Sequence, residues 1–155
     1  MNTKENFINK VIEIARKNVL TGRGGPFAAI IVKDNNIISL GRNQVTSKND
    51  PTLHAEIDAI RKATKKLNTI DLSSCSLYSS CEPCPMCLSA IYWANIKKVY
   101  YAADRKIATK YGFIDEKIYD EFKTKIVSVN LFYVNAENCE LPFKVWKTKE
   151  DKIKY

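Results

Sequence analysis

Two cysteines that begin an apolar segment constrain this chain more than any other feature. Cys84 and Cys87 are spaced C-x-x-C within CEPCPMCLSAIYWA, and Pro85 stands directly after the first of them. Proline is favoured at the first position of a helix, so we expect Cys84 to cap a helix that covers residues 85–95. Both sulfur atoms would then project from one helix end toward one point. The apolar residues that follow predict that this helix is buried.

The C-x-x-C spacing alone leaves two uses open, a redox pair or a metal site. A redox pair needs no distant partner, whereas a zinc site needs further ligands. The chain has one histidine to offer, His54. Three ligands, His54, Cys84 and Cys87, would leave one tetrahedral position open for water, which is the catalytic arrangement of zinc. The alternative is a closed structural site with Cys81 as fourth ligand, but we expect Cys81 only to line the site.

The segment PTLHAEIDAI contains that histidine and predicts a second helix start. Asp50 and Pro51 fit an N-cap and a first helical residue, and the helix is expected to reach Leu67. A helical wheel places Glu56 on the apolar face, where a carboxylate is costly unless it is paired or its pKa rises. A raised pKa suits a proton shuttle, whereas a glutamate that bonds the amides of its own helix start is the alternative. The apolar face comprises Ile57, Ile60, Ala63 and Leu67, and the polar face comprises Asp58, Lys62 and Lys65.

Composition excludes several classes of protein. Hydrophobic residues make up 45% of the 155 residues and charged residues 27%, which is ordinary for one globular domain. The longest uncharged apolar run, PFAAIIV, is too short to span a bilayer, so no membrane partner is expected. The amino-terminal MNTKENF lacks the apolar core of a signal peptide, which predicts a cytoplasmic protein.

The charge and the cysteines point away from nucleic acid and from a disulfide framework. The net charge of +8 comes mostly from lysines spread along the chain, which favours a solvated surface over a nucleic-acid site. An odd count of five cysteines, with three crowded together, suggests metal or redox chemistry in a reducing compartment. Cys75 and Cys139 are expected to be ordinary core residues.

The order of predicted elements indicates the fold class. Strands alternate with helices, and the first two strands form a hairpin around a turn at residues 34–36. This order predicts one α/β domain over residues 1–155, a three-layer α/β/α sandwich with a mixed five-stranded sheet and helices on both faces. The predicted strands cover 27–33, 37–42, 77–80, 99–103 and 127–133, and the predicted helices cover 5–21, 51–67 and 85–95, with short pieces near 108 and over 117–122.

Two motifs resemble the cytidine deaminase superfamily of zinc-dependent deaminases. H-x-E is present as His54-Ala55-Glu56, and P-C-x-x-C as Pro83-Cys84-Pro85-Met86-Cys87. The flanking GGPFAAIIVK, RNQVTSKNDPTLHAEIDAIRKA, a GF-x-D near residue 112 and a final PF-x-x-W…Y resemble the bacterial guanine deaminases within that superfamily. The resemblance covers nearly the whole chain and implies the cytidine deaminase-like fold.

The resemblance implies a reaction and a metal. His54, Cys84 and Cys87 would hold one Zn²⁺ per chain, which would lower the pKa of its bound water and supply hydroxide. Glu56 would carry protons from the water to the ring and to the leaving amine. The implied reaction is the hydrolytic deamination of guanine to xanthine and ammonia, a step of purine metabolism and guanine catabolism.

The resemblance also implies a set of substrate contacts. Asp115, the aspartate of GF-x-D, would contact the base and assist with protons as a second catalytic residue. The base would stack on the phenylalanine after Gly-Gly-Pro and bind an asparagine after the second strand. The implied substrate-binding residues are Phe27, Asn43, Ala55, Trp93 and Tyr155.

The related enzymes form a domain-swapped homodimer, which the resemblance extends to this chain. The C-terminal segment of one subunit covers the partner's site, and its last tyrosine reaches in. Residues 141–155 would form this tail, with Phe143, Trp146 and Tyr155 as its aromatic residues.

Other functions stay open at this point. A tRNA adenosine deaminase shares the zinc motifs, and a guanosine deaminase, another nucleobase or nucleoside deaminase, or a purely structural zinc module also fits some of them. Leu53 replaces the small residue common in relatives, and residues 103–107 lack the histidine-containing sequence common in guanine deaminases. These departures affect the choice of substrate rather than the zinc chemistry.

Overall fold

A mixed sheet of four strands forms the centre of the molecule. The computed structural model describes residues 3–124, 128–134, 136 and 138–151. The strands lie in the order β2-β1-β3-β4. β1 pairs antiparallel with both β2 and β3, whereas β3 and β4 are parallel. The strands are β1 (Ala28–Lys33), β2 (Asn36–Arg42), β3 (Ser76–Cys81) and β4 (Lys98–Ala103).

Helices cover both faces of the sheet, as predicted. Alternate residues of a strand point to opposite faces, so β1 contributes to two separate cores. Ala29 and Ile31 pack with α3 and α4, whereas Ala28 and Ile30 pack with α1. The helices are α1 (Thr3–Leu20), α2 (Val45–Lys48), α3 (Ala55–Leu67), α4 (Pro85–Trp93), α5 (Arg105–Lys110), α6 (Glu116–Thr124) and α7 (Leu141–Thr148). Among the described helices, none has the length and apolar character that crossing a membrane requires.

The fifth predicted strand is absent from the described part of its range. Residues 128–133, the described part of the expected strand 127–133, are exposed and adopt no strand. Their apolar side chains gave the strand pattern, but a strand also needs a neighbour to bond its backbone. The hairpin prediction is confirmed, since Asp34 and Asn35 form its turn with φ angles of 48° and 59°.

Helix α3 begins four residues later than predicted. The Asp50 carboxylate does not cap a helix; it accepts hydrogen bonds from the Thr52 backbone N–H and hydroxyl at 2.8 and 2.7 Å, which forms a local turn. His54 is the N-cap residue, with an extended backbone at φ −72° and ψ 160°. Asp58, expected on the polar face, is buried. Its burial is tolerated because its carboxylate accepts hydrogen bonds from the Arg42 backbone N–H, the Gln44 side chain and Lys62.

A glycine lets the start of α3 lie directly on the sheet. A Cβ atom added to Gly41 of β2 would lie 2.0 Å from the Ala55 carbonyl oxygen and 2.4 Å from the Ala59 nitrogen. Any side chain there would push the first turn of α3 away from β2. The close approach therefore positions His54 and Glu56 relative to the sheet.

Helix α4 begins at Pro85 with Cys84 as N-cap, as predicted. The prediction that this helix is buried all round is wrong. Cys87 and Ile91 are buried, but Tyr92 and Trp93 are 71% and 70% exposed. The helix is apolar on both faces. Among the described residues, its buried side packs in the core with α3 and the sheet, and its other side is exposed.

Candidate active site

Three side chains from two helix starts meet at one point. The sulfur atoms of Cys84 and Cys87 each lie 3.6 Å from Nδ1 of His54, and the three possible ligand atoms all lie within 4.8 Å of one another. His54 caps α3 and Cys84 caps α4, while Cys87 lies in the first turn of α4. The amino-terminal ends of both helices therefore point at the cluster, where their partial positive charge stabilises thiolate.

The chemistry of this cluster fits a zinc ion. Hydrogen bonds from Cys87 and from His54 lower the pKa of the Cys84 thiol to about 4, so a thiolate exists at neutral pH. The hydrogen bond with Cys84 and burial raise the pKa of Cys87, because one proton is shared between the two sulfurs. The pKa of His54 is raised chiefly by its hydrogen bond with Cys84. One imidazole and two thiolates are donors that Zn²⁺ prefers, and a cation would displace the shared proton.

Cys81 is near the cluster but is not part of it. Within the described residues, the group that could hold a metal consists of His54, Cys84 and Cys87. Cys81 lies in the wall of the adjoining cavity, and burial raises the pKa of its thiol to about 11. Because the group that could hold a metal offers three donor atoms, a tetrahedral zinc here would keep one position open.

Glu56 is a buried carboxyl group directed at the cluster. It is 5% exposed, and burial raises its pKa above the usual range for glutamate. The Ser79 hydroxyl donates to its Oε1 at 3.2 Å, and the Cys87 thiol donates to its Oε2 at 3.5 Å. Residues two apart within a helix do not share a face, but His54 lies outside the helix with an extended backbone. This helix boundary lets His54 and Glu56 reach the same point.

A cavity of about 610 Å³ opens beside the cluster. Phe27 and Phe113 form part of its wall, with ring centroids 4.8 Å apart and ring planes at 85°. Asn43 and Asp115 also line it, and burial raises the pKa of the Asp115 carboxyl group. The volume and the mixture of aromatic and polar groups are typical of small-molecule sites.

The Asn43 side chain is held by the loop before β1. Its Oδ1 accepts hydrogen bonds from the Gly25 backbone N–H at 3.1 Å and the Val45 backbone N–H at 3.4 Å. The buried side chain of Asn18 on α1 donates to the backbone oxygens of Gly25 and Asn43 at 2.9 and 2.8 Å. The amide group of Asn43 therefore has its oxygen committed to the backbone, and its Nδ2 is the end that can donate to a ligand.

Two of the remaining predicted substrate contacts, Ala55 and Trp93, do not line the cavity. Ala55 is fully buried in the core between α3 and the sheet, and Trp93 is on the exposed face of α4. Phe143 and Trp146 on α7 are 74% and 41% exposed. Tyr155 lies outside the described residues. The roles of these residues stay predictions.

Sequence reasoning missed several residues around the site. Ser79 is a polar residue within a buried strand. That pattern could have indicated a role for it, because buried hydroxyl groups need hydrogen-bond partners. Cys75 is buried as predicted, whereas Cys139 is exposed and the prediction of a core residue is wrong there. No motif indicates a role for four others, which come near the site only in the folded chain: Asn18, Glu82, Arg105 and Tyr119.

Comparison with known proteins agrees with this geometry. The model of the cytidine and deoxycytidylate deaminase zinc-binding region matches residues 1–103. The guanine deaminase of Bacillus subtilis is 46% identical over 153 residues, which cover 97% of this chain and 98% of that protein. Its crystal structure covers 100% of this chain and 99% of that chain with a TM-score of 0.95. A tRNA-specific adenosine deaminase of Aquifex aeolicus is 39% identical over 117 residues, 73% of this chain and 77% of that protein. The chain therefore belongs to the cytidine and deoxycytidylate deaminase family of zinc-binding proteins.

Proposed function

We propose that the protein hydrolyses guanine to xanthine and ammonia. The observation that carries the proposal is the buried Glu56 carboxyl beside the cluster of His54, Cys84 and Cys87, in the wall of a cavity large enough for a small molecule. The 46% identity to a guanine deaminase over 97% of the chain supports guanine as substrate, whereas the tRNA-specific adenosine deaminase of Aquifex aeolicus is 39% identical over 73% of it. One water is consumed, the exocyclic amine leaves as ammonia, and a carbonyl replaces it.

The chain's own residues supply the proton transfers. Zinc held by His54, Cys84 and Cys87 would provide the Lewis acidity that makes a water nucleophilic at neutral pH. Glu56 accepts one proton of the attacking water and donates it to a ring nitrogen, and then transfers the second proton of that water to the leaving amine. The Ser79 hydroxyl holds Oε1 of Glu56, and Oε2 lies 3.5 Å from the Cys87 sulfur, so we assign the proton transfer to Oε2, the oxygen beside the cluster.

The cavity wall orients the base. Phe27 offers a flat apolar surface for stacking, and Nδ2 of Asn43 donates to an acceptor on the purine edge. Asp115, whose carboxyl pKa is raised by burial, contacts the exocyclic amine. Three further substrate contacts are proposed: Ala55, Trp93 and Tyr155. Trp93 and Tyr155 would reach the substrate only in a dimer, where a second subunit completes the site.

The C-terminal part supports a swapped homodimer. Leu131, Phe132 and Tyr133 are more than four-fifths exposed, and exposed apolar segments of this kind mark interaction surfaces. β4 is at one edge of the sheet, so residues 128–134 of a second copy could supply the fifth strand there. In this arrangement residues 1–155 form one catalytic domain, and residues 141–155 of each subunit cover the partner's cavity.

The cytoplasm is the compartment that we propose. All five cysteines are free thiols, and free thiols persist where the surroundings are reducing. Fractionation of the source cells with an antibody against the protein tests this location, and recovery outside the cytoplasmic fraction would contradict it.

A substrate panel tests the activity. Purified protein is incubated with guanine, guanosine, cytosine, adenine and an anticodon-loop RNA, and released ammonia is measured. We expect guanine to be deaminated far faster than the other compounds. Activity confined to the RNA would instead assign a tRNA adenosine deaminase, and activity confined to a nucleoside would reject the nucleobase as substrate.

A further inference from the structure

The segment that forms one wall of the cavity has little apolar attachment to the rest of the chain. Helices α5 and α6 contain no buried residue. The connection between them nevertheless brings Phe113 and Asp115 into the cavity wall. Hydrophobic burial cannot hold this wall in place by itself, so polar contacts must contribute more than they do in the core.

Arg105 joins this segment to residues 82–84, the loop between β3 and α4 that ends at Cys84 and is called the metal-ligand loop below. Its Nη2 and Nε donate to Oε1 of Glu82 at 2.6 and 3.2 Å, and its backbone N–H donates to Oε2 at 3.1 Å. Glu82 lies two residues before Cys84 and lines the cavity. Its side chain is 19% exposed and that of Arg105 is 34% exposed, so solvent screens this ion pair less than a surface pair.

The same guanidinium contacts the second helix of the segment. It lies over the ring of Tyr119, 3.9 Å from the ring centroid. The Tyr119 hydroxyl donates to the Pro83 carbonyl oxygen at 2.8 Å. Tyr119 is in the first turn of α6, where its backbone N–H and that of Ile118 point to the carbonyl oxygen of Asp115 at 3.4 and 3.1 Å. The contacts thus connect the metal-ligand loop to the residue that begins α6.

We propose that Arg105 is a positioning residue for this deaminase. By contacting both Glu82 and Tyr119, Arg105 holds Phe113 and Asp115 in the cavity wall. The positions of the metal donors are set separately, by the packing of the core. The inference rests on the proposed function, because Asp115 is taken to act on the substrate. Arg105 itself does not line the cavity; it acts through Glu82, which does.

The first test replaces Arg105 and compares it with a matched pair elsewhere. Arg16 donates through Nε and Nη2 to Glu13 at 2.8 and 2.9 Å on the far side of α1, so Arg16→Ala removes the same kind of ion pair. We expect Arg105→Ala to lower kcat/KM for guanine by roughly 10- to 100-fold, with zinc content unchanged. Arg105→Lys should recover part of the loss, since lysine can pair with Glu82 but lacks the planar group. Equal kcat/KM in Arg105→Ala and Arg16→Ala would overturn the proposal.

The second test separates positioning from a general loss of stability. If Arg105 acts through Asp115, then adding Arg105→Ala to an Asp115→Asn variant should cost much less than it does in the wild type. The full loss in both backgrounds would contradict the proposal. Tyr119→Phe keeps the ring but removes the hydroxyl, and should lower kcat/KM less than Arg105→Ala.

A third measurement does not depend on the substrate. Amide hydrogen exchange at Ile118 and Tyr119 should be faster in Arg105→Ala than in wild type and unchanged in Arg16→Ala. If the wild type does not deaminate guanine, the proposed function fails, yet this measurement still tests whether Arg105 holds α6. Unchanged exchange at both amides would reject the inference.

Discussion

The part of the chain up to β4 and the part after it are organised in different ways. The first contains both hydrophobic cores, and it holds His54, Glu56 and the two cysteines through helix starts that lie on the sheet. In the described residues beyond Ile96, no residue is buried. The difference separates two tasks. A packed core positions the donor residues, whereas polar contacts hold the part of the cavity wall that follows β4. Variants in each region test this division.

The largest effect is expected for the metal donors. Cys84→Ser should remove zinc and bring deamination below detection, because a hydroxyl does not supply the thiolate that zinc requires. Metal analysis and ammonia release measure this. Cys81→Ser is the control, since Cys81 lies outside the donor group, and it should retain about one zinc per chain. Loss of zinc from Cys81→Ser would indicate a closed four-ligand site.

A large effect with intact metal is expected for Glu56. Glu56→Gln should lower kcat by about 10²- to 10⁴-fold, because an amide cannot carry the proton, while zinc content is unchanged. Glu13→Gln on the exposed surface of α1 is the matched control and should behave as wild type. Retained turnover in Glu56→Gln would remove this carboxyl group from the mechanism.

Deleting residues 141–155 tests the second region alone. We expect kcat/KM to fall roughly tenfold, because water enters an uncovered cavity and substrate is held less firmly. If the proposed exchange of tails holds two subunits together, sedimentation should show a smaller or more weakly associated species, and zinc content should stay the same. A truncated protein with full activity would show that the core region closes its own site.

The smallest effect is expected for Ser79, which orients Glu56 within the core. Ser79→Ala should lower kcat roughly fivefold with KM little changed, which corresponds to about 1 kcal/mol for one hydrogen bond. Steady-state kinetics measure both constants. Ser80→Ala is the control, because Ser80 accepts from the Ala28 backbone N–H at 3.0 Å and does not contact Glu56. It should lower Tm and leave kcat unchanged.

Local sequence patterns predicted the helices and strands of the core well. They failed where an element depends on contacts with another part of the molecule. Cys84 and Pro85 predicted the start of α4 because capping acts over a few residues. Asp50 and Pro51 form the same pair of residue types, yet the Asp50 carboxylate bonds Thr52 and α3 begins at Ala55. The strand expected at 127–133 is not formed by its described residues, 128–133, for a similar reason. Its apolar pattern is typical of a strand, but a strand also needs a neighbouring strand to bond its backbone.

What the sequence determined by itself is the set of donors and their chemistry. The C-x-x-C spacing brings two thiols to one helix end, and a single histidine leaves little choice of third ligand. Only the tertiary structure decided that Glu56 and His54 reach one point, that Ser79 holds the carboxyl group, and that Arg105 joins α6 to the metal-ligand loop. The physical reason is range: capping and spacing act within a few residues, whereas these contacts depend on how distant elements pack.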